Sequence, residues 1–158
     1  MISQFCKWLD ATPLSQTFQG WVWFVPTVQT VHILCIAVVV TSVGMLDFKL
    51  LGIAGRERAL AAMVSSFMPW IWSALAILLA TGVLLTITEP ARELMNVAFR
   101  TKMLMVLIVV MILRRLEFAL RHNPGYGATP RLGARLVGAG SLLLVVAIVV
   151  AGRWIAYL

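Results

Sequence analysis

The side chain with the clearest potential for chemistry is His32, which lies inside a long apolar stretch from Val25 to Phe48. A run of about 20 apolar residues can cross the hydrocarbon of a bilayer as one helix. Gln29 precedes His32 by about one turn and Cys35 follows it by nearly one turn, so the three lie on or near one helical face. An ionisable side chain at this depth is costly unless it has protein partners, which makes His32 a candidate functional residue.

Three interpretations of His32 follow from its type and position. As a structural residue, it is a neutral imidazole that forms a hydrogen bond with a threonine or with Gln29 across a helix interface. As a cofactor ligand, it coordinates the iron of haem b, because a four-helix bundle can hold a porphyrin and small residues facing the ring leave room. As a relay, it passes protons between neighbouring groups.

A haem held by His32 needs a second axial ligand, or its iron stays five-coordinate. Met105 or Met103 could supply a thioether, although methionine in membrane helices more often serves packing. Lys102 could in principle reach the iron with a neutral amine. Otherwise it is an anchor that reaches the membrane surface, or a cation that neutralises a haem propionate or another anionic group near the outer surface. His122 follows the predicted third span at the opposite face, so it cannot share a metal ion or a haem with His32.

The composition identifies an integral membrane protein. The chain has 158 residues, of which 61% are hydrophobic and 12% are charged, and its formal charge is +7. In a membrane protein, excess basic residues usually mark cytoplasmic loops, and here no nucleic-acid-binding signature accompanies them, so we expect no nucleic-acid partner. Cys6 and Cys35 form neither a disulfide framework nor a motif for covalent haem attachment. No catalytic triad or phosphate-binding loop is present, and the sequence assigns no enzyme activity.

The pattern of apolar runs predicts an all-α fold, a four-transmembrane-helix bundle with a short N-terminal interfacial helix that ends at Pro13. Residues 1–20 form the interfacial segment and residues 21–158 form the transmembrane domain. A brief surface helix is expected in the link between the second and third spans. The predicted spans are Val25–Phe48, about Ala62–Thr88, Lys102–Leu120 and about Leu132–Tyr157.

Basic residues in the links between spans predict the orientation. Eight lie in the first and third links and five on the opposite side, so both termini are expected in the periplasm. Asp47 and Lys49, at the inner end of the first span, are interpreted as orientation anchors and partly solvated ion pairs, with a cytoplasmic-side anion or propionate site as the alternative. Glu117 is expected to pair with Arg114 or Arg121 at helical spacing.

Three short motifs, one in or beside each of the first three predicted spans, carry a family resemblance. They are His32 with Gly44, Asp47 and Lys49; Pro69 with Thr81 and Gly82; and Phe99 with Lys102. Over about residues 21–120 the chain resembles a group of bacterial four-span inner-membrane proteins. That group includes a family of unknown function and, more distantly, the copper-resistance D domain and the HemJ-type protoporphyrinogen oxidases.

The resemblance implies a haem b site or a related porphyrin or metal role, in which His32 and Lys102 match positions that matter in the HemJ-type proteins. Those proteins carry a further histidine at the end of the third span, where this chain has Leu113, Arg114 and Arg115. Their oxidase activity is therefore not implied. The candidate cofactor-binding residues are His32, Gln29, Lys102, Thr81 and Gly82, with His32 and Met105 as candidate metal ligands.

The sequence thus leads to one hypothesis and one alternative from another class. The hypothesis is a b-type haem protein of the bacterial inner membrane that transfers electrons within or beside a larger redox complex. The alternative is a cofactor-free anchor or accessory subunit that packs through small residues of the second and fourth spans. Either requires a lipid bilayer, and other membrane subunits or further copies of the chain as partners. Metal-ion export lacks an intramembrane acidic ligand.

Overall fold

A computed structural model describes residues 2–54, 57–123 and 132–154, apart from the side chains of residues 2 and 92. Within these ranges every regular element is helical, which confirms the predicted all-α class. The turn-rich segment expected after the third span lies largely outside the described residues. The helices are α1 (Ile2–Asp10), α2 (Pro13–Gly20), α3 (Phe24–Leu51), α4 (Leu60–Thr88), α5 (Pro90–Leu94), α6 (Val97–His122) and α7 (Leu132–Trp154).

Three of the long helices, α3, α4 and α7, are long and apolar enough to cross a membrane. Helix α6 has 26 residues but is more polar, because Arg100 and Lys102 lie near its start and Arg114, Arg115 and Glu117 near its end. The described residues therefore contain three candidate membrane spans within a helical bundle, one fewer than the sequence predicts.

Helix α3 packs against both α4 and α7, and α6 packs against α7. His32 near the start of α3 contacts Thr81 near the end of α4. Gly138 near the start of α7 faces Leu50 near the end of α3. These contacts make α4 and α7 antiparallel to α3, as short links between consecutive long helices require.

A polar cluster connects α4 to α6. The Trp72 indole Nε1 donates a hydrogen bond to Glu117 Oε2 at 3.3 Å, and the Arg114 guanidinium lies 4.5 Å from the Trp72 ring centroid. Glu117 also forms the predicted ion pair with Arg121, at 2.7 Å. These side chains thus connect α4 to α6.

The buried apolar core occupies one end of the bundle. We call this end the aspartate half, after Asp47, and the other end the histidine half, after His32. The core side chains come from the end of α3, the start of α4, the end of α6 and the start of α7, and Leu46, Ile71 and Leu113 are typical of them. The aspartate half comprises residues 39–51, 60–74, 109–122 and 132–145; the histidine half comprises residues 24–38, 75–88, 97–108 and 146–154.

The N-terminal segment forms two short helices instead of the single one predicted, because Thr12 caps α2 and Pro13 occupies its first turn. Both helices attach to the end of α4. The Ser15 hydroxyl donates to the Ile87 carbonyl and the Gln19 amide to the Thr88 carbonyl, each at 2.8 Å. The last carbonyl groups of a helix have no hydrogen-bond donor within that helix. Side chains of α2 supply donors for two of these carbonyl groups in α4.

Candidate functional site around His32

His32 lies on the side of α3 that faces the bundle, where its ring is partly buried. Its Nδ1 lies 2.7 Å from the Thr81 Oγ1 on α4. This is the threonine contact that the structural interpretation of the histidine anticipates. The contact fixes the imidazole orientation, so it also bears on what the second ring nitrogen can do.

The hydrogen bonds of Thr81 indicate which ring nitrogen carries the proton. Its hydroxyl lies 2.7 Å from the Ile77 carbonyl and 3.2 Å from the Leu78 carbonyl, and a hydroxyl has one hydrogen to donate. Donation to the backbone of α4 leaves the Thr81 oxygen to accept a hydrogen bond from His32 Nδ1–H. The Nε2 atom then keeps a free lone pair, and it has no hydrogen-bond partner among the described residues. A neutral imidazole in this tautomer can bind a metal through Nε2.

Gly82 gives the ring space on the α4 side. A Cβ atom placed on Gly82 would lie 3.7 Å from His32 Cε1, which is ordinary van der Waals contact. Alanine would fit there, whereas a larger side chain would press on the imidazole. The adjacent pair Thr81 and Gly82 thus supplies both the hydrogen bond and the clearance.

Lys102 brings a positive charge to the same end of the bundle. Its aliphatic chain lies along Gly152 on α7, with Nζ 3.7 Å from the position that a Cβ of Gly152 would take. The ammonium acts electrostatically on His32, and Glu93 at the end of α5 acts on the ammonium. A Cβ atom on Gly152 would make only ordinary van der Waals contact with the lysine stem, so alanine would also fit there.

Two other candidates are less closely associated with the ring. Gln29 lies on the exposed side of α3, although it precedes His32 by only one turn. Met105 on α6 is half-buried, and Met103 is 44% exposed. No group of three histidine, cysteine or acidic side chains that could hold a metal ion is found in the described part of the chain. Any metal here would depend on His32 with few protein ligands, as in a haem.

His122 is at the other end of the bundle, at the end of α6. It is exposed, its Nδ1 lies 3.0 Å from the Phe118 carbonyl, and its ring packs against the Phe118 ring. The prediction that the two histidines cannot act on one ligand agrees with this placement.

A family model matches residues 5–158, almost the whole chain. The chain belongs to a family of unknown function, DUF6644. Neither curated proteins nor solved structures gave a match. Membership of DUF6644 therefore assigns no activity to the chain.

Sequence reasoning missed one pair of residues in this DUF6644 protein. Asp47, interpreted as a partly solvated anchor, is only 3% exposed, and Ser141 on α7 is 1% exposed. The signal was available, because Val43 and Leu50 lie one turn before and one turn after Asp47 on one helical face. That face is buried along this part of α3.

Proposed function

We propose that this chain is a b-type haem protein of the bacterial inner membrane, in which His32 Nε2 ligates the iron. It would transfer electrons as a subunit or partner of a larger redox complex. When bound, haem supplies a one-electron couple between ferric and ferrous iron. The observation that carries the proposal is the hydrogen bond from His32 to Thr81, because it leaves the Nε2 lone pair free to bind a metal ion.

The residues around His32 fit a planar apolar group with acidic substituents. No apolar side chain of the four long helices is buried in the histidine half; of their described residues there, only Thr81 and Thr88 are buried. A group inserted there would displace no packed core. The Lys102 ammonium would provide the positive charge that the propionates of a haem need.

Two methionines could help His32 to hold the haem in this proposal. Met105 is half-buried on α6, and Met103 precedes it by two residues, on another side of the helix. Met105 is the better placed, because its side chain is less exposed than that of Met103. Without a methionine the iron would remain five-coordinate.

The proposal includes α6 as a fourth membrane span. Its 26 residues would extend roughly 39 Å at 1.5 Å per residue, enough to cross a bilayer. Lys102 and Arg114 would then place their charged groups toward the two membrane surfaces. The distribution of basic residues puts both termini in the periplasm, so His32 would lie in the outer leaflet.

Visible absorption of the purified protein tests the proposal. After expression with an ample haem supply, we expect an absorption spectrum of haem b that changes on addition of dithionite. His32→Ala should abolish the absorbance, whereas His122→Ala, which alters an exposed histidine at the opposite end, should leave it unchanged. A colourless wild-type preparation would refute haem binding.

A second pair of variants tests the role of Thr81. Thr81→Val removes the acceptor for His32 Nδ1–H, and loss of such a supporting hydrogen bond typically weakens metal binding about 10–100-fold. Thr86→Val is the matched control, because Thr86 bonds the Gly82 carbonyl on the same helix. Equal haem affinity in Thr81→Val and wild type would contradict the proposed tautomer.

The cofactor-free alternative has its own supporting observation. A Cβ atom placed on Gly140 of α7 would meet nothing within 4 Å, so this small residue leaves space for a helix of another subunit. A colourless protein that co-purifies with a membrane partner, and loses it on Gly140→Leu, would favour the anchor over the haem protein.

A further inference from the structure

Asp47 is a buried acid for which the haem proposal has no use. Its carboxyl group lies between α3 and α7 at the end of the bundle opposite His32. The Ser141 hydroxyl lies against it, yet neither Asp47 Oδ2 nor Ser141 Oγ completes a hydrogen bond among the described residues. Two adjacent polar groups, both more than nine-tenths buried, are thus left unsatisfied. Such a pair is costly unless something else occupies the site.

The helices meet closely at this point. A Cβ atom placed on Gly138 would lie 2.9 Å from Leu50 Cβ and 3.1 Å from the Asp47 carbonyl oxygen. Ser141 follows Gly138 by three residues and therefore lies on the same face of α7. The glycine lets α7 approach α3 until the serine hydroxyl and the carboxyl group face each other. The pairing is thus a product of helix packing and not of a mobile surface.

No cation from the described residues balances an ionised Asp47. Helix α4 contains no charged residue, and Arg135, at the start of α7, is exposed. Lys49 follows Asp47 by two residues, so it projects from a different side of α3. The carboxyl group also lies near the C-terminal end of α3, where the helix dipole disfavours a negative charge. Burial and Ser141 are the influences that act on it.

We propose that Asp47 and Ser141 form a buried proton-binding site, in which Asp47 carries a proton and exchanges it with water at the aspartate end of the bundle. In the exchange, a hydronium ion gives its proton to a carboxylate oxygen and leaves as water. The proton is a better occupant than a divalent metal ion, which takes about six or more oxygen ligands. This site offers two side chains that need partners.

Gly44 provides space beside the site. It is buried and lies one turn before Asp47, and a Cβ atom placed on it would meet nothing within 4 Å. A water molecule could use this space if polar groups held it, and the carboxyl and hydroxyl groups are such partners. The site is independent of the haem proposal, because its residues, its position and its readout all differ.

Infrared spectroscopy of the full chain in detergent tests the proposal. At neutral pH we expect a C=O stretching band of a protonated carboxyl group that shifts in heavy water and weakens as the pH rises. Asp47→Asn, which resembles the neutral acid in shape, should remove this band. Asp10→Asn is the matched control, because Asp10 is exposed and accepts a hydrogen bond from Gln19, and it should keep the band. Ser141→Ala should shift the band.

Several results would overturn the proposal. One is the absence of a protonated carboxyl band at neutral pH, and another is a band that survives Asp47→Asn. A band that does not respond to pH would contradict proton exchange. A band that weakens on adding sodium in place of choline at constant pH would make the site one for an alkali cation instead. If Asp47→Asn does not fold, the wild-type pH titration and the Ser141→Ala shift still decide the matter.

Discussion

The aspartate half and the histidine half are built from opposite ends of the same four long helices, yet only the first has an apolar core. In the aspartate half, Leu46, Ile71 and Val43 are essentially inaccessible, and α7 approaches α3 at Gly138. In the histidine half, the closest described contact between long helices is polar, from His32 to Thr81. Apolar packing stabilises the aspartate half, whereas the described apolar side chains of the long helices in the histidine half are only partly buried or exposed.

The unequal packing of the two halves limits where a small bundle can hold a ligand. A packed core has no space to spare, because interiors approach the density of organic crystals. A site for a bulky group therefore belongs where side chains are only partly buried, as around His32. A proton needs almost no space, so Asp47 can bind one inside the packed half.

The largest effect is expected when matching cavities are created in the two halves. Ile71, in the aspartate half of α4, is 0% exposed, and Ile77, in the histidine half of the same helix, is 45% exposed. Ile71→Ala should lower the free energy of unfolding by about 2–5 kcal/mol, whereas Ile77→Ala should cost much less. Unfolding in mixed micelles, followed by circular dichroism, measures both. Equal losses would show that the two halves are packed alike.

Added methyl groups provide a second, smaller test. Gly138→Ala places a Cβ against Leu50 Cβ and the Asp47 backbone oxygen, neither of which can move without the helix, and we expect a loss of about 1–3 kcal/mol. Gly82→Ala meets only His32 Cε1 at 3.7 Å, so it should be neutral or slightly stabilising, since alanine favours helix over glycine. The same unfolding assay compares them. A Gly138→Ala protein as stable as Gly82→Ala would refute the close approach of α7.

Much of the fold could be predicted from the sequence, because long apolar runs have few stable forms in a bilayer. The all-helical class, the surface helix between α4 and α6 and the ion pair of Glu117 with Arg121 all follow from spacing and composition. The division of the N-terminal segment into two helices does not follow from them, because it depends on Thr12 capping a helix that begins at Pro13.

The candidate site could be predicted only in part. His32 stands out because it is ionisable within an apolar run, and Thr81 could be chosen by its level in the membrane. Gln29 illustrates the limit: its spacing from His32 places it near the same face, but the rotation of α3 leaves it exposed. Side-chain partners across an interface depend on helix rotation, which the weakly amphipathic sequence of α3 does not specify.

The case of Asp47 shows why charged residues at span ends are hard to interpret. A carboxylate near the end of an apolar run usually marks the membrane surface. Here, Gly138 and Ser141 are small enough for α7 to cover that end of α3, so the acid is enclosed. Val43 and Leu50 mark an apolar face of α3 that includes Asp47, but they do not show which helix covers it; the burial comes from α7, which is distant along the chain.

The smallest effect that we predict concerns how α2 is held against the end of α4. Ser15→Ala leaves the Ile87 carbonyl without its donor, which should cost about 1 kcal/mol. The lost hydrogen bond should appear as faster hydrogen exchange in α2 and at the end of α4, because it joins these two helices. Hydrogen exchange in the aspartate half should not change. Thr17→Ala is the matched control, since Thr17 is exposed and bonds only the Pro13 carbonyl within α2. If both variants exchange at the wild-type rate, the hydrogen bond from Ser15 does not hold α2 against α4, and other contacts must do so.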